Sequence, residues 1–593
     1  MLLILPLLLV PFFGISQSIE KACFSVSGGF YEESPILEIF PFYPQHHIRF
    51  TTNGNRPTAQ SRLYTEPLLL DGSLYSTSDI YTIRISPDSV FFVPDSVQHC
   101  IVIRAAVFDE NDSCISEVST NSYFIRSLGC DTHGLPVMSL CADSLDLFDD
   151  EHGIFVPGVF FDTLKPQWTG NYYQTGEEWE RMANFEFYEL NNEGVNQQIG
   201  LRTHGGNGRR FQQKCVKIYA REAYGNHRLE HQFFENIPQN SFKHLVLKPF
   251  VASWNYTGVS DYASCQIATQ LNVESLASRP TVLYLNGEYW GVYFIHERPD
   301  ERYLEDHIGV DIHQVNLISS WQGEIACGSN ENFLAFFHWM ENADLSEPEA
   351  YAYACTRMDM DCFIDYQIME LFSENKDWPA NNMRCWQLGD GPWRWFFYDG
   401  DACFQWMTFH AFDNAVYVGN AGWPSSNQSS VFFRKLLTNE QFCQSFNNRF
   451  HELLESIFSY SNTGPMFEDI DNAVISEIPF QSSRFDYPES EEQWNEKMEQ
   501  SRWFLMRRCE YITPVLEAFV NQWTSVEEYT PSFDAFSPSD KTLCSVYDMT
   551  GRQVYVQTVS PDSDPHRITL DLPLAPGLYL LKINDVVTKI IKQ

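Results

Sequence analysis

The sequence predicts a multidomain α+β chain: a β-sandwich at the N-terminus, a central domain of mixed strands and helices, and a small β domain at the C-terminus. Three observations carry this. The 593 residues are too many for one hydrophobic core. Short strands between Gly/Pro/Asn turns fill 23–126 and return after 531, whereas 130–525 mixes helical and strand periodicities. Apolar residues make up 44% of the chain and aromatics 15%, which suits packed globular units.

The first residues, "MLLILPLLLVPFFGISQS", hold an apolar run from Leu2 to Phe13 that ends in small residues. It is short for a membrane span and suits a signal-peptide core, with cleavage after Ser16 and so a leader of 1–16. No other stretch is apolar enough to span, so no transmembrane segment is expected after cleavage. The net charge is −39, from 39 basic against 78 acidic side chains, which repels phosphate backbones and argues against a nucleic-acid partner. Fifteen scattered cysteines form no CxxC pair, and no HExxH occurs. Some pairing as disulfides is expected in an exported chain, with an odd thiol left over.

Strand runs "HIRFTT", "YTIRI" and "CIVIRAAVF" alternate with turns such as "NGNRPT" in the first module. The stretches "IRFTTNGNRPTAQSRLYTEPLLL" and "IVIRAAVFDENDSCISEVSTNSYFI" resemble the chitobiase C-terminal-like module, which implies an accessory, immunoglobulin-like sandwich over 23–126. At the other end, "YDMTGRQV", "LAPGLYLLKI" and "KIIKQ" resemble the C-terminal sorting domain of type IX secretion over 531–593. That implies a small β-sandwich handled by the type IX machinery. It also implies export through the periplasm and outer membrane to the cell surface or medium.

Chemistry concentrates in the middle. In "DCFIDYQIMELFSENKDWP", Ile364, Ile368, Leu371 and Phe372 recur on one helical face, Asp361 can cap the start and Pro379 stops continuation. The helix delivers Asp377 into a loop, Asn382 follows five residues on, and "MRCWQL", "GDGP", "WRWFFY" read as a hairpin ending at Asp399 and Asp401. Phosphoryl transfer needs such a set: a carboxylate to take the hydroxyl proton, and an Asn and Asp to hold magnesium. The same residue types also abound in plain turns. Upstream, "VLYLNGEYWGVYFI" is a hairpin around Asn286-Gly287. Before it, "QIGLRTHGGNGRRFQQKCVKIYAR" reads strand, Gly-rich loop, strand, with Lys217 in mid-strand either facing inward to phosphates or facing water. Arg202, Arg209, Arg210 and Lys214 form a basic patch that fits an anion-binding mouth.

Together, "LPVMSLCADSLDLFDDEHGIFVPG", "GLRTHGGNGRRFQQKCVKIY", "VLYLNGEYWGVYFIHERPDERYLEDH", "NKDWPANN", "FFYDGDACF" and "RWFLMRRCEY" resemble the CotH kinase family. The resemblance implies an atypical bilobal protein-kinase-like fold over 130–525 that uses ATP with magnesium or manganese to phosphorylate proteins, here an envelope or surface substrate. It makes Lys217 the phosphate-pairing lysine, with Arg202 beside it. Asp377 becomes the catalytic aspartate; Asn382, Asp399 and Asp401 become the metal ligands; Glu297 in "HERPD" stands at the hinge after the hairpin. Relative to the family, His204 and Gly205 are inserted in the glycine loop, and Gly400 separates the paired acids. A surface adhesin or scaffold on the same fold, without catalysis, is the other reading that the sequence leaves open, and a glycan-binding protein is a third.

Overall fold

The structure is a computed structural model of the chain. It describes residues 20–41, 43–87, 91–130, 134–250, 258–407, 411–419 and 423–524, and the backbone of four strands within 542–592. The proposed leader therefore lies outside the described residues. The chain divides into two compact units, 1–524 and 525–593.

At the centre of the first unit a seven-stranded barrel closes on itself. Its strands are Val137–Ala142 (β1), Arg181–Tyr188 (β2), Gly194–Thr203 (β3), Val216–Tyr219 (β4), His244–Pro249 (β5), Ser278–Leu285 (β6) and Glu288–His296 (β7), in the order β1-β2-β3-β4-β5-β7-β6. Every pairing is antiparallel except β6 with β1, which closes the ring in parallel. Strand alternation sends Leu201, Ile218, Leu245, Leu247 and Ile295 into one buried cluster and leaves Arg202, Lys217, Val246 and Lys248 on the other face. The β6–β7 hairpin turns at Asn286 and Gly287, whose φ angles of 48° and 90° fit the type I′ turn that the dipeptide predicts. Asn286 does more than turn the chain. Its buried amide accepts from Ala142 N at 2.9 Å and donates to Ala142 O at 2.9 Å, stapling the hairpin to β1.

The N-terminal region is β-rich. Gly29–Tyr31, Ser119–Ile125, Ile101–Phe108, His47–Thr51 and Arg62–Leu63 form a five-stranded sheet in that order, accompanied by two-stranded pieces. It is welded to the barrel rather than tethered to it. Cys100, Val102 and Phe124 share a core with Val137, Tyr188 and Tyr284. Glu186 of β2 accepts from Ser122 N at 3.0 Å, Ser122 Oγ at 2.5 Å and Tyr188 Oη at 2.6 Å. Glu288 of β7 accepts from the N–H groups of Ile80 at 2.7 Å and Tyr81 at 2.9 Å.

Beyond the barrel the chain becomes largely helical. Helix α1, Val259–Ala268, follows β5, and α2, Met360–Ser373, is buried on every side from Cys362 onward, so its single apolar face understates its burial. Asp359, not Asp361, caps α2 by accepting from Cys362 N; the chain enters the helix two residues earlier than the sequence suggests. It also ends at Ser373, before Pro379, because Glu374 takes a left-handed conformation with φ 52°. A second sheet orders Glu274–Ser275, Arg394–Phe397, Cys385–Leu388, Val315–Ile318 and Ile325–Cys327, and contains the predicted hairpin. The described cysteines are free thiols, so the expected disulfides do not form among them. In the second unit, Gln553–Val559, Thr542–Asp548, Gly577–Ile583 and Val586–Lys592 pair in that order as one antiparallel sheet.

The two buried glutamates make the first unit sensitive to pH. Burial lifts Glu186 to about 7 against its hydrogen bonds, and burial likewise lifts Glu288 to about 7. A carboxylate whose folded pKa lies above its unfolded one contributes full stability below the unfolded value and loses it as pH rises towards the folded one. Stability contributed by this seam therefore falls from about pH 4.5 to about pH 7, by up to about 1.4 kcal/mol per pH unit per group. Urea unfolding of the Glu186→Gln/Glu288→Gln double variant across this range should show a flatter profile than wild type. An unchanged profile would mean that the two groups titrate as they do in the unfolded chain.

Candidate functional site

The site grows out of a single strand and the helix after it. Along β5 the leucines point inward, which turns Lys248 outward near the strand end, towards the first turn of α1. Its ammonium meets Asp261 Oδ2 of α1 at 2.7 Å and Asp399 Oδ1 at 2.5 Å. The other Asp261 oxygen accepts from Gly400 N at 2.7 Å, and His296 Nε2 stands 3.5 Å from Oδ2. Strand β5, helix α1, the end of β7 and the Asp399–Asp401 turn thus converge on one charged knot. A Cβ at Gly400 would stand 2.0 Å from Ser264 Oγ on α1, which explains the glycine between the two acids.

Electrostatics follow from this geometry. Burial pulls the Lys248 pKa down, but Asp261, Asp399 and Asp401 outweigh it and hold the ammonium well above the usual lysine range. Burial pushes Asp261 up, yet Lys248 and His296 bring it below the usual carboxylate value. Burial and then the Asp399 charge hold Asp401 well above that value, a repulsion that a bound cation would relieve.

The α2 end supplies the second half. Asn375 donates to Glu370 Oε2 at 2.8 Å and accepts from Asp377 N at 3.1 Å, fixing the loop. The Asp377 carboxylate accepts from Asn381 Nδ2 at 2.8 Å, Asn382 Nδ2 at 3.2 Å and the Trp423 indole N–H. Burial leads the causes that raise its pKa, while the bonds from Asn381, Trp423 and Asn382 oppose it. Asn382, left-handed with φ 56°, also reaches Asp399 O at 3.4 Å. Asp377, Asn382, Asp399 and Asp401 line one cleft of about 840 Å³, together with Lys248, Asp261 and the glycine loop from His204 to Gly208.

Other residues singled out in the sequence lie differently. Lys217 is buried with its ammonium 4.5 Å from the Tyr219 ring centroid, makes no ion pair with Asp399 and does not line the cleft. Arg202 stacks on the same ring at 4.3 Å and faces Glu180 at 3.5 Å. Glu297 lines the cleft, but its carboxylate binds Ala277 N at 2.9 Å and His307 Nε2 at 2.5 Å, which is hinge architecture. The basic patch is consumed in structure: buried Lys214 donates to the carbonyls of Ile85, Arg209 and Phe211, and Arg209 donates to Gly205 O and Tyr173 O. Sequence reasoning missed Lys248, Asp261, His296, Asn381 and Trp423. The first two had a signal in "HLVLKP", whose alternation exposes the lysine, followed by a helix with an acid in its first turn.

A hard cation fits the donor set. The Asn382 amide nitrogen serves protein acceptors, which leaves the oxygen as the atom it could offer a cation in the cleft that Asp399 and Asp401 also line. No cage of three His, Cys, Asp or Glu side chains gathers among the described residues.

A glycine loop between two strands, a strand lysine paired to a helix acid, and an Asp/Asn loop beside a further aspartate thus share one cleft. The CotH kinase protein family model matches residues 201–512, over half of the chain, and this chain belongs to that family. Residues 26–86 match the chitobiase/beta-hexosaminidase C-terminal domain, and 532–593 match a secretion system C-terminal sorting domain. The protein is therefore exported by type IX secretion to the cell surface or beyond. No helix among the described residues is long and apolar enough to cross a membrane. No curated protein matches the chain.

Removing Lys248 and removing Lys217 should have opposite consequences. Lys248→Met leaves three aspartates facing one another and should destabilise by about 3–5 kcal/mol, the usual result of breaking a buried ion pair. Lys217→Met removes a buried ammonium that has no carboxylate within ion-pair distance among the described residues and should be neutral or stabilising. Denaturant midpoints of the two variants measure the contrast, and equal losses would contradict it.

Proposed function

We propose that this protein is an exported atypical protein kinase that transfers the γ-phosphate of ATP to hydroxyls of extracytoplasmic or surface proteins. One observation carries the reading: Lys248, Asp261, Asp377, Asn382, Asp399 and Asp401 converge on the cleft roofed by the glycine loop, and they follow one another in the chain order of kinase parts. The β barrel with its glycine loop takes the part of the nucleotide-covering lobe, and the α2 region that of the catalytic lobe.

In this reading Lys248, rather than Lys217, pairs the nucleotide phosphates, held in place by Asp261. Asn382, Asp399 and Asp401 would hold magnesium or manganese, which supplies charge neutralisation on the phosphates. Asp377 orients the acceptor hydroxyl and takes its proton as the oxygen bonds to the γ-phosphorus, the bond to the β–γ bridging oxygen breaks, and ADP departs. Three donors fix the carboxylate, and burial raises its pKa towards working pH, which makes it a better base.

Asp377→Asn should keep fold and ATP binding while lowering phosphate incorporation about 10²–10⁴-fold. Asp399→Asn should instead lose metal-dependent ATP affinity by calorimetry. Thermal unfolding, ATP affinity and incorporation from labelled ATP into envelope proteins, measured together, read both. A wild type that binds no ATP and labels nothing would favour the scaffold. Deleting 531–593 should trap the chain in the periplasm with its ATP binding unchanged, and surface display of the truncated chain would contradict the role of the tail.

A further inference from the structure

The long connection between β1 and β2 carries a stretch, "FDDEHGIFVPG", to which the transfer chemistry gives no role. It leads into a surface loop, 158–170, that is closed at its neck. There Asn171 N donates to Pro157 O at 2.8 Å, and the buried Asn171 amide donates to Asp150 O at 2.9 Å and Gly153 O at 3.1 Å. Inside the loop, Asp162 N donates to Thr169 Oγ1 at 2.9 Å, and that hydroxyl donates to Lys165 O at 2.8 Å. A compact loop bonded to itself in this way presents a fixed surface. Tyr173 Oη reaches both Gln167 O in this loop and, at 3.4 Å, Asn207 O in the glycine loop, so the two loops stand side by side.

The surface that it presents is apolar. Val159, Phe160, Leu164 and Trp168 are 61%, 48%, 89% and 60% exposed. Single exposed apolar side chains are ordinary, but a cluster of large ones on one short loop marks an interaction surface. The charges of the loop, Asp162 and Lys165, cancel in a chain whose net charge is −39. Trp168 also lines the cleft, in company with Asn207, Asp377 and Trp423. Trp423 is exposed as well, and its indole N–H holds the Asp377 carboxylate. Through Trp168, then, the apolar surface enters the cleft that contains Asp377.

We propose that the loop from Val159 to Trp168 is a docking platform for the acceptor polypeptide and takes an apolar segment flanking the hydroxyl residue presented to Asp377. Calling this partner the acceptor rests on the kinase reading; the docking of an apolar peptide does not. A peptide fits better than a lipid surface. Val159 N is bonded to Asp150 O in the acidic run Asp149, Asp150 and Glu151, which an anionic headgroup layer repels. A peptide also fits better than a glycan, because Val159 and Leu164 offer neither a ring face for stacking nor a polar atom for sugar hydroxyls.

A library of Ser-centred peptides with randomised flanks, passed over the immobilised full chain without ATP, tests the platform. Peptides retained by wild type should be enriched in Leu, Ile, Val and Phe beside the Ser. One of them should bind at least about tenfold more tightly than its Gly/Asn-flanked counterpart, the worth of one buried aliphatic side chain. Leu164→Ser and Phe160→Ser should each lose that preference. Their unfolding midpoints and ATP affinities should stay at wild-type values, since both side chains are largely exposed and neither lines the cleft. Transfer to the selected peptides that weakens in the two variants through KM, with kcat kept, supports the docking and the kinase reading together. Selection of apolar peptides through Leu164 and Phe160, with no transfer to them, supports the docking and counts against the kinase reading. Retention without apolar bias, or a bias that survives both variants, overturns the platform even where transfer is intact. Binding to phosphatidylglycerol vesicles or to envelope polysaccharide that Leu164→Ser abolishes, with no peptide preference in wild type, gives the loop to a membrane or a glycan and overturns it too.

Discussion

The ammonium of Lys248, held between Asp261 and Asp399, ties together four pieces of the chain that are far apart in sequence. Strand β5 brings the lysine, α1 brings Asp261, the end of β7 adds His296, and the hairpin of the second sheet ends in Asp399 and Gly400. Without the cation, the carboxylates would repel one another in a poorly solvated place. Without the carboxylates, the lysine would be an unpaired charge. Neither half is stable alone, so the pairing holds β5, α1 and the Asp399–Asp401 turn together.

The N-terminal sheet is part of the same body. Its backbone N–H groups are received by Glu186 and Glu288, which the barrel strands bury, and its apolar residues share a core with β1, β2 and β6. A module that looks like an appendage in sequence therefore seals one side of the barrel. The barrel in turn carries the cleft on β5, the end of β7 and the loop between β3 and β4.

Much of the fold was legible in the chain. The Asn286-Gly287 hairpin, the hairpin ahead of Asp399 and the helix before Asp377 all follow from local rules: turn residues that accept positive φ, and periodicity. The loop acids were legible for the same reason, because a helix, a loop and a hairpin bring them together within a short span. The lysine was not. Lys217 and Lys248 both stand in short strands between apolar residues, and alternation puts both on the outer face. What separates them is closure of the barrel and the arrival of α1, which are long-range events. The basic patch misled for a related reason: a cation near a glycine loop binds whatever carbonyls the fold brings to it, and Lys214 is given three. The cap of α2 differed because Asp359 and Asp361 are chemically alike, and only the path of the entering chain chooses between them.

Gly400 has a mechanical meaning. With Ser264 pressed into the space where its side chain would be, and its N–H held by Asp261, the acid-bearing turn is locked to α1 and travels with it. If the cleft opens and closes, the moving boundary cannot pass between that helix and the turn. Helix and carboxylates would shift as one rigid piece, and the whole displacement would be taken up where the glycine loop meets them. A force applied to α1 from outside the cleft would thus be delivered to Asp399 and Asp401 without loss, as by a lever with no slack in its joint.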